Sequence, residues 1–166
     1  MREFSSGGVV FRKERGKILW LLAKTVPDVV FPKPIWRLPK GWIDDAGPGT
    51  PGPMASGKVR ADESSLQEAA LREVSEEGGI SAQILKKITS IRYIYTMPGV
   101  GRILKFVTFY LMKWQKDLPD GFDDETSETT RLPFEEAIKT TSLSAERDVL
   151  KKAKEILDSG IIDSLV

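Results

Sequence analysis

Glu73, Glu76 and Glu77 place three carboxylates within five residues, next to Arg72 and just before the pair Gly78-Gly79. On a helix turning about 100° per residue, the three fall within roughly 100° of arc. Leu66, Ala69 and Ala70 share that arc, so the acids project from the face that the preceding turns give to packing. Three like charges on an inward-tending face are costly unless something positive neutralises them. Oxygen ligands alone, in a chain with no histidine and no cysteine, suit a hard divalent cation, Mg²⁺ or Mn²⁺. The same spacing also fits a solvated surface helix with ion pairs Glu68–Arg72 and Arg72–Glu76. Against the surface helix stand the shared face with Leu66 and the alanines, and the abrupt glycine stop.

The rest of the composition narrows the chemistry. The 166 residues suit one domain with a real core. A formal charge of +1 argues against a general nucleic-acid or membrane binder. Without cysteine there are no disulfides, thiolate metal sites or cysteine nucleophiles. Without histidine there is no serine–histidine catalysis and no histidine zinc site. Acid–base chemistry falls to carboxylates, lysine, tyrosine or metal-bound water. Met1-Arg2-Glu3-Phe4 carries no apolar signal run and no segment is long enough to span a bilayer, so the expected location is cytoplasmic.

The elements that must position the acids follow in order. Ser5 to Arg12 and Lys17 to Lys24 read as a strand hairpin. Val26 to Pro34 reads as loop, and Trp36 to Ile43 as a short strand, a turn and another short strand. Asp44 to Asp62 is rich in glycine and proline and reads as a long structureless loop, either a flexible surface insertion or a lid. Ser64-Ser65 offers an N-cap to a helix over Ser64 to Gly78, with Glu68 placed for a capping box. Gly79 suits the residue just past its end. Ser81 to Thr96 gives one or two strands, and Pro98 to Gly101 a hairpin turn. Arg102 to Trp114 is a central strand, since both its faces are largely apolar. Lys105 interrupts one face, either reaching solvent or aimed at a phosphate. Gln115 to Thr130 is acidic and polar, Arg131-Leu132 is a short strand, and Pro133 starts a helix through Thr140. Ser144 to Ser159 is an amphipathic helix with Val149, Leu150, Ala153, Ile156 and Leu157 on its apolar face. This order predicts an α/β fold with a central mixed β-sheet and helices on both faces.

Arg72 to Ile80 resembles the second half of the Nudix (MutT-like) box, G-x5-E-x7-R-E-U-x-E-E-x-G-U, at every specified position. Leu38-Pro39-Lys40-Gly41 is similar to the strand-to-loop segment that supplies the box glycine. Gly7 to Val10 resembles the usual first strand. Tyr93 through Met112 resembles the hairpin of the diadenosine polyphosphate hydrolase branch, and Glu128 to Ala137 the late loop, strand and helix. The upstream half departs from the pattern. With Gly41 as box glycine, about 17 residues are inserted within the box, in the 44–62 segment. A rival register uses Gly57, and Glu63 lies one position from the first box glutamate.

The resemblance implies a Nudix-type α/β/α sandwich, with residues 1–166 forming one Nudix hydrolase domain. It implies metal-dependent hydrolysis of a pyrophosphate bond in a nucleoside diphosphate linked to X. The substrate expected is a dinucleoside polyphosphate or a nucleoside triphosphate. ADP-ribose or a nucleotide sugar is the runner-up, and a non-catalytic nucleotide sensor is a third reading. Glu73, Glu76 and Glu77, with the Lys40 carbonyl, would be ligands to Mg²⁺ or Mn²⁺. Glu76 would be ligand or base, and Arg72 would orient Glu73. Glu125 or Glu128 would be an additional late-loop acid. Arg37, Lys40 and Lys105 would face phosphate, and Tyr93 or Tyr95 would stack on a base or simply pack. The partner is a small-molecule nucleotide, with no nucleic acid and no membrane.

Overall fold

The computed structural model describes residues 1–161. Its scaffold is a seven-stranded mixed sheet. β1 (Arg2–Glu14) and β2 (Lys17–Thr25) form the expected hairpin, longer than its apolar runs by a few residues at β1. β3 (Trp36–Arg37) pairs with β2, and β4 (Lys40–Trp42) with the start of β1. β7 (Ile80–Met97) and β8 (Gly101–Asp117) make a long antiparallel hairpin. Three register shifts in β7 let it bend along its length. β8 lies parallel to β1 in the middle of the sheet, as two apolar faces require. β9 (Thr126–Leu132) pairs with the far side of β2.

Alternation along the strands sends residues to two cores. On one face Val10, Leu21, Tyr110 and Met112 pack with Ala70 and Val74 of α1 (Glu63–Gly78). On the other, Val9, Trp20, Leu22, Val107, Phe109 and Leu111 pack with Ala137 of α2 (Phe134–Thr140) and with Val149, Leu150 and Ala153 of α3 (Ser144–Asp158). The result is the α/β/α sandwich expected. No helix among the described residues is long and apolar enough to cross a membrane.

Two local expectations change. The N-cap of α1 is Asp62, whose carboxylate accepts from the Ser65 N–H at 2.7 Å, so Ser64 and Ser65 lie inside the helix. Two residues before Ser64, an aspartate takes the capping role that a serine would have filled, and the helix starts one residue earlier than expected, at Glu63. The 44–62 segment is also not structureless. β5 (Asp45–Gly47) and β6 (Thr50–Pro51) form a separate small ribbon. The Asp44 carboxylate closes the segment on the Met54 and Ala55 N–H groups, and Phe4 N–H donates to the Ala55 carbonyl at 2.8 Å. Glycine and proline exclude a helix or a central strand here. They leave open a loop whose backbone groups are satisfied by one carboxylate and by the free edge at the start of β1.

Candidate active site

α1 carries the acids because its inner face alternates small residues with glutamates. Ala69, Ala70, Glu73, Val74 and Glu77 are buried, whereas Glu76 turns outward. Gly79 ends the helix at φ 68°, a left-handed conformation that glycine adopts without strain. The late acidic loop docks on this end. Leu118 N–H donates to the Gly79 carbonyl at 2.9 Å, and Asp123 N–H to the Glu76 carbonyl at 2.7 Å.

The three glutamates have different surroundings. Glu77 is 1% exposed and fully engaged. Its Oε1 receives Arg37 Nη2 at 2.8 Å and its Oε2 the Lys40 backbone N–H at 3.0 Å. Burial raises its carboxyl, against the opposing pull of Arg37 and the Lys40 N–H. Glu73 is 8% exposed, and its nearest cation is Arg72, at 3.5 Å. Burial, with Glu77 and Glu76 close by, pushes its carboxyl up to about 8. Glu76 is exposed; partial burial raises it, and Asp123, Glu125 and Asp45 add to the rise against Arg72. The charge of Glu125 also raises Glu73 and Glu77, so this late-loop acid lies within electrostatic reach of all three glutamates. Glu128 instead lies 4.0 Å from Lys24 on the surface of β9.

Gly41 sits against the Glu73 carboxylate so closely that a Cβ there would overlap it. Gly57 touches Phe4 instead. The packing therefore favours the register that takes Gly41 as the box glycine. Glu63 starts α1 roughly 15 Å of helix before Glu73. Its carboxylate is taken by Tyr110 Oη at 2.7 Å and Lys87 Nζ at 3.0 Å.

The remaining predicted residues divide. Arg72 Nη2 lies 3.5 Å from Glu73 Oε1. Its shortest bond, however, is from Nη2 to the Trp42 carbonyl at 2.7 Å, so it ties α1 to β4, the strand that carries the box glycine. Arg37 is directed at Glu77 rather than at an open surface. The Lys40 ammonium is turned away from solvent onto Glu146 of α3, so the expected phosphate contact from this side chain is corrected to a buried ion pair. Burial lowers its pKa, offset by Glu146. Lys105 stands in a row with Glu3 on β1 and Tyr93 on β7. Among the described residues no hydrogen bond or ion pair holds its ammonium, and burial, with Lys40 close by, lowers it to about 8. Tyr95 donates its hydroxyl to Glu3 at 2.7 Å, and Tyr93 packs against the α3-side core. Burial raises both phenols.

Sequence reasoning missed Glu146. It is 0% exposed, and besides Lys40 it accepts from the Leu38 N–H at 2.8 Å. The signal was in the helical phase: Glu146 precedes Val149 and Leu150 by three and four residues, on the apolar stripe of α3. A charge on that stripe needs a buried partner.

No three acids among the described residues already converge as a preformed metal cage. The donor chemistry nevertheless fits a hard cation. Two glutamates are buried side by side, Glu77 held by Arg37 at 2.8 Å and Glu73 met by Arg72 only at 3.5 Å, with the exposed Glu76 beside them.

A carboxylate cluster at the end of a helix, under a glycine-bearing strand on one face of a mixed sheet, is the arrangement to set beside known proteins. The family model of the NUDIX domain matches residues 2–153, and the chain belongs to the NUDIX domain family. A mutator protein of Mycobacterium tuberculosis, MutT4, is 27% identical over 124 residues, which is 75% of this chain and 43% of that protein. The chain thus spans less than half the length of this relative. Among solved structures, a binary complex of Caenorhabditis elegans Ap4A hydrolase has a TM-score of 0.61 at 23% identity, covering 95% of this chain and 98% of that one. The NUDIX domain of Shewanella oneidensis NrtR, crystallised with ADP ribose, has a TM-score of 0.64 at 15% identity, covering 95% and 89%. At these identities the two structures speak for the fold.

Proposed function

We propose that this protein, as a single Nudix domain, hydrolyses a pyrophosphate bond in a nucleoside diphosphate linked to X, with Mg²⁺ or Mn²⁺ as cofactor. The observation that carries this reading is the pair of buried glutamates, Glu73 and Glu77, beside Glu76 at the end of α1. So much buried negative charge is sustained by cations, and Arg37 answers only one of the two.

Glu73, Glu76 and Glu77, with the Lys40 carbonyl, would hold the metal. When bound, it supplies charge screening on the phosphates and a more acidic water. The residues of the chain do the rest. Arg37 and the Lys40 N–H fix both oxygens of Glu77, so its side chain has one orientation. Arg72 fixes the carbonyl of Trp42 and thereby the distance between α1 and β4. Gly41 leaves room for the Glu73 carboxylate to reach past the strand. Glu76 is exposed and its carboxyl is raised by partial burial, which makes it the more basic and suits a group that accepts a proton from a water. Glu125 is the late-loop acid placed to assist. Lys105 is the cation placed to meet a phosphate, since no carboxylate holds it. Tyr95 presents its ring beside that position with its hydroxyl anchored on Glu3.

The preferred substrate is a dinucleoside polyphosphate or nucleoside triphosphate, supported by the likeness of the β7–β8 hairpin and of the Ap4A hydrolase structure. ADP-ribose or a nucleotide sugar is the alternative, favoured by the fold's likeness to a domain that binds ADP ribose. A sensor without catalysis is disfavoured because Glu73, Glu76 and Glu77 are all present. The test is a panel of these compounds with Mg²⁺, read by phosphate release and by chromatography of the products. Cleavage of none of them would sink the hydrolase reading. Cleavage of ADP-ribose with diadenosine polyphosphates untouched would replace the preferred substrate by the alternative.

A further inference from the structure

We propose that Glu146 is a positioning residue for the metal-binding end of α1, acting from the opposite layer of the sandwich through residues 37–40. The inference rests on the metal site proposed above, and its residue lies outside the box. The segment from Arg37 to Lys40 runs between two buried carboxylates. On one side Arg37 Nη2 and the Lys40 N–H hold Glu77 at 2.8 and 3.0 Å. On the other, the Leu38 N–H at 2.8 Å and the Lys40 ammonium are held by Glu146. Alternate groups of one short segment therefore face alternate acids, and neither acid can shift without moving the same backbone.

The corner between α2 and α3 reinforces this bracket. Ser142 N–H donates to the Trp36 carbonyl at 2.9 Å, and Trp36 N–H donates to the Ser142 hydroxyl at 3.1 Å. Arg147 Nη1 holds the Thr141 carbonyl at 2.8 Å, which fixes the corner itself. Trp36, Leu38 and Lys40 are thus all tied to residues 142–146. A simple core would cover this position with a leucine, since the helix stripe is otherwise Val149, Leu150 and Ala153. Replacing a buried ion pair by apolar groups is often neutral for stability. A charged pair at this place is explained by what it orients: the Lys40 N–H that seats Glu77, and the Gly41 backbone that meets Glu73.

The test uses two double variants of the whole protein. Lys40→Met with Glu146→Leu removes the buried charges and also the acceptor for Leu38. Lys40→Met with Glu146→Gln removes the charges but keeps an oxygen for the Leu38 N–H. Four quantities are read: melting temperature, hydrogen exchange of the Leu38 and Lys40 amides in metal-free protein, Mn²⁺ affinity by calorimetry, and kcat against KM. The expected result is that both variants fold. In the leucine variant the Lys40 amide exchanges faster, Mn²⁺ affinity and kcat fall about tenfold or more, and KM changes little. The glutamine variant recovers most of the amide protection and Mn²⁺ affinity. A folded leucine variant with wild-type Lys40 protection and Mn²⁺ affinity would overturn the inference. If that variant does not fold, native-state exchange of the wild-type protein decides. The Leu38 and Lys40 amides must then open in the same unit as those of Val149 and Leu150, and independent opening would overturn it. A wild-type protein that binds Mn²⁺ but cleaves no nucleotide defeats the proposed function and leaves this inference standing.

Discussion

Glu73 and Glu77 lie one helical turn apart on the same face of α1, and both are buried, yet the protein treats them differently. Glu77 has a donor on each oxygen, Arg37 on one and the Lys40 N–H on the other. Glu73 has Arg72 at 3.5 Å, a glycine pressed against it, and a carboxyl pushed up to about 8. The first is a carboxylate whose charge and orientation the fold itself fixes. The second is a carboxylate whose burial raises its free energy in the ionised form. A divalent cation bound there would offset that cost, which is why a site of this kind couples metal binding to stability.

This contrast can be broken most strongly through chemistry. Glu73→Gln, Glu76→Gln and Glu77→Gln are each expected to lower Mg²⁺-dependent turnover by roughly 10²- to 10⁴-fold with the fold retained, checked by product analysis and circular dichroism. Normal turnover in purified Glu77→Gln protein would refute the assigned roles. The same variants should separate in metal-free stability. Glu77→Gln leaves Arg37 without its charge partner and lowers the melting temperature, by up to roughly 3 kcal/mol in free energy. Glu73→Gln removes a carboxyl whose ionised form the fold disfavours, raised to about 8, and leaves stability unchanged or higher. Calorimetric melts with chelator decide, and a loss in Glu73→Gln equal to that in Glu77→Gln would end the distinction.

Gly41→Ala sharpens it from the other side. The added methyl enters the space of the Glu73 carboxylate, so Mg²⁺ affinity should fall about tenfold or more while nucleotide binding without metal is preserved. Both are measurable by calorimetry. A smaller effect is expected at Lys105. Its folded pKa is depressed to about 8 from 10.5, so its charged form is already disfavoured by the fold. The sign follows: stability from this group is full above 10.5 and lost as pH falls toward about 8. Phosphate binding needs the charged form, so KM for a nucleotide should rise as pH climbs above about 8. In Lys105→Met, KM should be higher near neutrality and this limb should disappear. A pH profile identical to wild type would remove Lys105 from the site. The smallest change is expected from deleting Ala46 to Pro53, which removes the β5–β6 ribbon except Asp45, whose charge raises Glu76. Substrate preference should shift, and unchanged affinity and preference would make the ribbon a spacer.

The acids themselves were legible in the order of residues. Their spacing, the glycines that stop their helix, and the absence of histidine and cysteine restrict the site to oxygen ligands. The two apolar faces of β8 likewise place it mid-sheet, because only a strand covered on both sides buries both rows of side chains. What stayed hidden were contacts between groups distant in sequence. Nothing in the chain's periodicity says that Lys40 reaches 106 positions along the chain to Glu146 rather than a phosphate. Nor does it say that Arg37 is given to Glu77, or that the charge of Glu125 reaches the helix acids while Glu128 lies beside Lys24. Spacing could not choose between Gly41 and Gly57 either, whereas packing does, because only one of them lies against Glu73. Periodicity and composition are local, so the chain alone determined which elements form and which chemistry is available. The pairing of buried charges is a question of distance and desolvation across layers, and only the packed tertiary structure decides it.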